Sequence, residues 1–233
     1  MKNNILENAM FSFSRHPSFD LQVYLEQVIN YKNIVEFGAG TGRLCEFWLS
    51  ENKKVFAIEN NINSISILKS KYQNEINKKE ILLFTDINQL NYFDDKAILI
   101  APFNLIFHFK SIEIFLEIIK TSFKKNIETI ILDFDELSEN DINNLSDKHI
   151  RTSDEFIEKG ELVNPGQYHI SWFYENNIMI NNFMINLHSA DYILSTIKQE
   201  IPNIIVTMLT HKIDIHGTKV LFVKIEMNKD ETV

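Results

Sequence analysis

The chain has 233 residues, 45% of them hydrophobic and 24% charged, with only 6 Gly and 4 Pro, so one α/β domain with an insertion fits and long flexible linkers do not. The formal net charge of −9 argues against a polyanionic partner such as nucleic acid, whose binding needs clustered Lys and Arg. The single cysteine, Cys45, excludes an intrachain disulfide. No apolar run approaches membrane-span length and Met1–Glu7 lacks a signal-peptide core, so a cytoplasmic protein without membrane contact is the expectation.

Residues 1–33 precede the first strand. Phe11, Phe13 and Phe19 are separated by polar residues around Arg15-His16-Pro17. Asp20 suits the cap of a helix over Leu21–Ile29, with Leu21, Leu25, Val28 and Ile29 on one face. Ile34, Val35 and Phe37 then read as a buried strand, and Gly38, Gly40 and Gly42 follow at alternate positions, with a helix expected from about Gly42 to Ser50. Glycines let the backbone turn sharply and approach a ligand closely, and the new helix points free N–H groups at it. A dinucleotide fingerprint wants its third small residue one place later, where Arg43 stands. Glu36, just before the turn, suits a cationic or hydroxylated ligand and would repel a pyrophosphate. Cys45 reads as core beside Leu44 and Trp48 rather than as a nucleophile.

The run Glu36-Phe37-Gly38-Ala39-Gly40-Thr41-Gly42 resembles the first motif of the class I S-adenosylmethionine-dependent methyltransferases. The resemblance implies an α/β fold: a Rossmann-like, seven-stranded, mostly parallel sheet with helices on both faces and an antiparallel last strand. It implies S-adenosylmethionine as cofactor, S-adenosylhomocysteine as product, and a glycine turn (Gly38, Ala39, Gly40, Gly42, with Glu36) against the methionyl part. An N-terminal segment often closes over the cofactor in this family, and Arg15 is the candidate partner for the methionine carboxylate; a solvated surface arginine is the alternative.

Val55–Glu59 reads as strand two, and Glu59 at its tip matches the family's acid for the ribose hydroxyls, with Asn60 beside it. A helix over Ile62–Ile76, capped by Asn60 or Asn61, leads to strand three at Ile81–Phe84. By resemblance Asp86 and Ile87 read the adenine; an Asp capping a loop is the competing reading. Strand four is Ala97–Ile100, and its carboxyl end, Ala101-Pro102-Phe103-Asn104, is where the methyl group should be delivered. The family's base and amide enzymes carry Asn/Asp-Pro-Pro-Tyr/Phe there, so DNA bases and glutamine amides are disfavoured. His108 follows at a position suiting a general base, or it is a core histidine. A helix over Ser111–Phe123, with Ser111 as cap, precedes strand five at Ile127–Phe134.

After a polar stretch from Asp135 to Asp147, Gln167–Tyr174 and Ile178–His188 read as two strands of a hairpin. Tyr168, Ile170, Trp172 and Tyr174 share one side; His169, Ser171 and Phe173 the other. In the family, antiparallel strands inserted after strand five form a lid over the acceptor or a homodimer contact. Phe103, His108, Tyr168, His169, Trp172 and Tyr174 are therefore the candidate acceptor-binding residues, with His108 and Tyr168 the candidate catalytic ones. A helix over Ser189–Gln199 and strands Ile204–Leu209 and Val220–Ile225, turned at His216-Gly217, complete the core. The expected layout is a cofactor-covering segment at 1–33, the Rossmann-like core at 34–135, the lid at 136–188 and the completing helix and strand pair at 189–233. No tight metal-ligand spacing occurs, and no metal is expected. The function these features suggest is methyl transfer to an N or O atom of a small molecule such as a sugar, an amino acid or a natural-product or surface-glycan precursor. The rivals are a non-catalytic methyltransferase-fold partner subunit and an NAD-dependent oxidoreductase.

Overall fold

The structure, a computed structural model, describes residues 19–152, 156–174, 178–214 and 217–228. Arg15, His16 and His216 lie outside these residues.

Seven strands form the main sheet: β1 (Asn33–Phe37), β2 (Lys54–Ile58), β3 (Ile81–Phe84), β4 (Ala97–Ala101), β5 (Ile127–Asp135), β10 (Ile204–Ile213) and β11 (Lys219–Met227). Their order across the sheet is β10-β11-β5-β4-β1-β2-β3. All neighbouring pairs are parallel except those of β11, which runs antiparallel between β5 and β10. The central strands read as continuous apolar runs because helices cover both faces. Alternate residues of each strand go to opposite cores. Ile34, Val55, Ala57, Ile98, Ile100, Ile131 and Phe222 pack with α1 (Leu21–Val28), α2 (Cys45–Ser50) and α3 (Ile62–Lys71). Val35, Ile58, Leu99, Ile130, Leu132 and Leu221 pack with α5 (Ile112–Lys124) and α7 (Ala190–Glu200); the short helices α4 (Gln73–Asn77) and α6 (Glu139–Asn143) complete the helical set.

Several boundaries differ from the sequence expectation for identifiable reasons. The helix after the glycine turn begins at Cys45, not Gly42, because Gly42 sits at φ +85°, outside the helical region. The helix expected over 62–76 divides into α3 and α4 at Tyr72, whose hydroxyl donates to the Gly42 carbonyl at 2.8 Å. Asn61, not Asn60, caps α3, accepting from the Asn63 and Ser64 N–H groups. Asp20 and Ser111 stand at N-cap positions of α1 and α5, yet neither side chain makes a capping bond; Asp20 is committed to Arg43 instead.

The inserted element is a four-stranded antiparallel sheet rather than a two-stranded hairpin: β6 (Lys148–Thr152), β7 (Phe156–Asn164), β8 (Gln167–Tyr174) and β9 (Ile178–Asn186), paired in sequence order. The first two strands escape pattern reading because Glu158 and Gly160, not apolar side chains, stand at inward positions of β7. This second sheet has its own small core of Phe156, Tyr168, Ile170 and Trp172. It meets the main unit through β9, where Phe183 lies 5.1 Å from the His108 ring and the Asn186 amide donates to the Phe109 carbonyl at 2.8 Å.

Candidate functional site

The candidate site lies at the carboxyl ends of β1, β2, β3 and β4, the edge where open α/β sheets bind ligands. Gly38, Gly40 and Gly42 have φ of +75°, +56° and +85°, so the turn after β1 is built from left-handed residues that a side chain would strain. Space also demands two of them. A Cβ on Gly38 would fall 2.8 Å from Leu105 Cδ1, and one on Gly42 2.7 Å from Tyr72 Cε2. The Gly38 and Ala39 N–H groups both donate to the Ile58 carbonyl, which closes the turn onto the tip of β2.

Glu59 extends that tip. Its Oε2 accepts from the Gly40 N–H at 2.8 Å and its Oε1 from the Asn61 N–H at 2.7 Å. Each oxygen keeps a second lone pair for a further donor. The carboxylate is thus pre-oriented against the glycine turn, with exposed Asn60 beside it. One strand further out, Asp86 is exposed, and its Oδ1 caps a short 3-10 turn by accepting from the Asn88 N–H and amide at 2.7 and 2.8 Å. Ile87 is buried, so its side chain belongs to the core and only its backbone is available to a ligand.

Glu36 sits under the turn rather than over it. It is 2% exposed and accepts from Trp48 Nε1 at 3.0 Å and the Cys45 thiol at 3.6 Å. Burial raises its pKa to about 7, against the opposing pull of Arg43, Trp48 and Cys45. Burial and the neighbouring carboxyl push the Cys45 thiol well up, so it is a core thiol. Arg43 grips Asp20 through two bonds, Nη1 to Oδ1 at 2.7 Å and Nη2 to Oδ2 at 2.5 Å. Burial works against its charge, and the Asp20 carboxylate more than restores it. Arg43 therefore ties the head of α1 to the glycine turn, a role its sequence position did not reveal.

Opposite the turn, Ala101 ends β4 in full burial, and the chain then passes through Phe103 and Asn104, both left-handed at φ +63° and +57°. Two consecutive non-glycine residues in this region store strain that the surroundings must hold. Buried Asp133 of β5 supplies one restraint, accepting from the Phe103 N–H at 2.6 Å and from the Tyr24 hydroxyl. The Asn104 side chain supplies another, accepting from the Asp135 N–H at 2.7 Å. Asp133 and Tyr24 were not apparent in the sequence, since both stand inside ordinary apolar patterns. Glu36, Gly38, Ala39, Gly40, Arg43, Pro102 and Phe103 enclose a crevice of about 30 Å³. That is too small for a nucleoside, whereas Glu59, Asn60 and Asp86 form an accessible shelf beside it. The larger cavity, about 270 Å³, lies at the opposite end of the sheet around Tyr31, Thr129 and Glu226, away from every feature described above.

His108 stands where β4 meets the second sheet. Its side chain is exposed, with the Phe183 ring against it, and desolvation lowers its pKa to about 4. It is neutral at pH 7 and a weak proton acceptor. The second-sheet candidates divide. Tyr168 and Trp172 are buried in that sheet's own core, the Tyr168 hydroxyl donating to the Ser146 carbonyl and Trp172 Nε1 to Glu158 Oε2 at 2.8 Å. Tyr174 packs on Phe156 at 5.5 Å. His169 projects from the other face, as strand alternation requires, so these four cannot line one surface. The structure gathers Glu36, the three glycines, Ala39, Glu59, Asn60, Asp86, Ala101 and Phe103 at one sheet edge, puts His108 at the junction, and leaves Tyr168 and Trp172 within the second sheet. Among the described residues, no group of three or more His, Cys, Asp or Glu is arranged to hold a metal ion, and no helix is long and apolar enough to cross a membrane.

The same architecture recurs in solved structures. The CcbJ methyltransferase from Streptomyces caelestis superposes with a TM-score of 0.67 at 12% identity, covering 91% of this chain and 90% of that one. The chain has the fold of the class I S-adenosylmethionine-dependent methyltransferases. An S-adenosylmethionine-dependent methyltransferase from Clostridium acetobutylicum matches this methyltransferase fold with a TM-score of 0.61 at 14% identity, over 91% and 90% of the two chains. S-adenosylmethionine-bound CalS10, an amino pentose methyltransferase from Micromonospora echinaspora, matches it at 0.60 and 8%, over 90% and 92%. No protein-family model matches the sequence, and no curated protein matches it in a sequence search.

Proposed function

We propose that the chain is an S-adenosylmethionine-dependent methyltransferase that methylates an N or O atom of a small molecule. The observation that carries this reading is the Glu59 carboxylate held 2.8 Å from the Gly40 N–H, on the shelf that also bears Asp86. The residues fit the cofactor. The glycine turn admits a ligand against bare backbone, Glu59 has two lone pairs left for vicinal ribose hydroxyls, and Asp86 Oδ2 serves the adenine amino group with the Ile87 N–H beside it. When bound, the cofactor supplies a methyl group already activated on a sulfonium, so neither a metal nor a covalent enzyme intermediate is required. The protein's part is alignment. Asp133 and Asn104 fix the strained Phe103-Asn104 corner, so the acceptor meets a rigid wall beside Ala101.

His108 contributes a neutral imidazole at this wall. With a pKa of about 4 it suits orienting an acceptor hydroxyl or a neutral amine better than stripping a proton from an ammonium. Phe103 shapes the same wall, and the second sheet closes it as a lid through Phe183. CalS10 acts on an amino pentose; a sugar, amino acid or related precursor is the acceptor class proposed here. Transfer of label from methyl-labelled S-adenosylmethionine to a panel of amino sugars, amino acids and phenols tests the reading. Label in an extractable small product supports it. Cofactor binding with no transfer to any of the panel would favour a non-catalytic partner, and binding of NADH in place of S-adenosylmethionine would overturn it.

A further inference from the structure

The second sheet holds a polar assembly that the cofactor site does not use. Glu158 of β7 is 6% exposed, and it stands across from Arg151 of β6 and Trp172 of β8 in the strand register. Its Oε1 meets His149 Nε2 at 3.2 Å and Arg151 Nη1 at 3.7 Å, while its Oε2 takes the Trp172 indole N–H at 2.8 Å. The His149 ring sits against Gly160, where a Cβ would come within 2.0 Å of its Cε1, and tilts against Tyr168 at 5.6 Å. Gly160 has an ordinary strand conformation, so the imidazole, not the backbone, requires the missing side chain. At the rim the His149 and Arg151 side chains remain 32% and 37% exposed. This face is the one that carries Trp172, which packs edge-on against Phe183, the residue touching His108.

The arrangement fixes what His149 offers. Glu158 is ionised, since its donors hold its pKa below the ordinary carboxylate value despite burial. The Glu158 carboxylate faces Nε2, so that nitrogen is committed within the sheet and Nδ1 is the ring nitrogen left for a ligand. Arg151 next to it is a donor and a fixed positive charge, which disfavours an ammonium ligand. An imidazole nitrogen and a guanidinium side by side complement a hydroxyl, which can donate and accept at once. We propose that His149, seated on Gly160 and oriented by Glu158, forms with Arg151 a hydroxyl-binding subsite on the inner face of the lid, anchoring a polyhydroxylated, carbohydrate-like part of the acceptor. The subsite deepens the methyltransferase reading and relies on it for the word acceptor.

The test needs no cofactor. The His149 Hε1 resonance, assigned by loss in His149→Gln, is followed while methyl α-glucoside and, separately, cyclohexylammonium are added to the full chain. A saturable shift with the glucoside, absent with the ammonium and weakened about tenfold in Glu158→Gln, is expected, tenfold being the scale of one lost hydrogen bond. Gly160→Ala should abolish the response by displacing the imidazole; if that variant does not fold, Glu158→Gln carries the comparison. No saturable shift with the glucoside, or a stronger response to cyclohexylammonium, overturns the proposal. Because S-adenosylhomocysteine binding is measured separately, failure at the glycine turn and failure at this subsite are told apart.

Discussion

Two buried carboxylates, one in each sheet, share a partner type and differ in charge. Glu36 and Glu158 each accept an indole N–H, from Trp48 at 3.0 Å and Trp172 at 2.8 Å. Yet Glu36 is lifted to about 7, while Glu158 is held below its ordinary value. The groups that face each carboxylate decide it. Beside Glu36, Arg43 spends its fork on Asp20, so burial dominates. Beside Glu158, His149 and Arg151 point their donors at the carboxylate itself. The main unit thus keeps a carboxyl poised near neutrality under the glycine turn, whereas the second sheet keeps one that is ionised at neutral pH and orients a histidine.

The largest effect that would break this comparison is truncation of the shared partner. Trp48→Ala removes a fully buried ring and should cost about 3–5 kcal/mol of global stability by urea unfolding. Trp172→Ala should appear chiefly as faster amide exchange in β7 and β8, because the second-sheet core it leaves is a separate, smaller cluster. Equal global losses would mean that the two sheets unfold as one. Next comes the pH dependence. A carboxyl whose folded pKa is raised from 4.5 to about 7 binds its proton more tightly when folded, so its contribution to stability falls as pH rises through that window. Glu36→Gln should therefore raise stability at pH 8 by up to about 3 kcal/mol and change it little at pH 4.5. Glu158 has the opposite sign: a depressed pKa stabilises above the ordinary carboxylate range and loses that as pH falls through the folded value. Glu158→Gln should cost about 1–2 kcal/mol at pH 7, the scale of charge-assisted bonds, with the cost fading in acid. The same pH trend for both variants would remove the distinction.

The two sheets also differed in how far the sequence disclosed them. The parallel strands announce themselves as apolar runs such as Ala97–Ala101, and the glycine spacing marks the turn. The place of Glu59 against that turn was legible because the residue ends an apolar strand run one βαβ unit after the glycines. The first half of the second sheet was not. β6 alternates Lys148, His149, Ile150, Arg151 and Thr152, a pattern polar on both faces, and β7 turns Glu158 and Gly160 inward. Those residues fit only because they satisfy one another across strands, a long-range pairing that local periodicity does not encode. Tyr168 and Trp172 are candidate acceptor contacts in the sequence through the family's inserted strands and their aromatic character; in the fold they fill the second sheet's own core. Asp133 was hidden for the same reason, a polar residue inside the apolar strand β5 whose partners, Tyr24 and Phe103, come from distant segments.

The central claim is that the glycine turn and the tip of β2 hold one nucleoside cofactor. Titration calorimetry of the wild-type chain and Glu59→Ala with S-adenosylhomocysteine addresses it most directly. Saturable binding, weakened by about 1–3 kcal/mol when the Glu59 carboxylate is removed, is the predicted result. Wild-type protein that takes up no ligand, or a variant that binds as tightly as its parent, would contradict it.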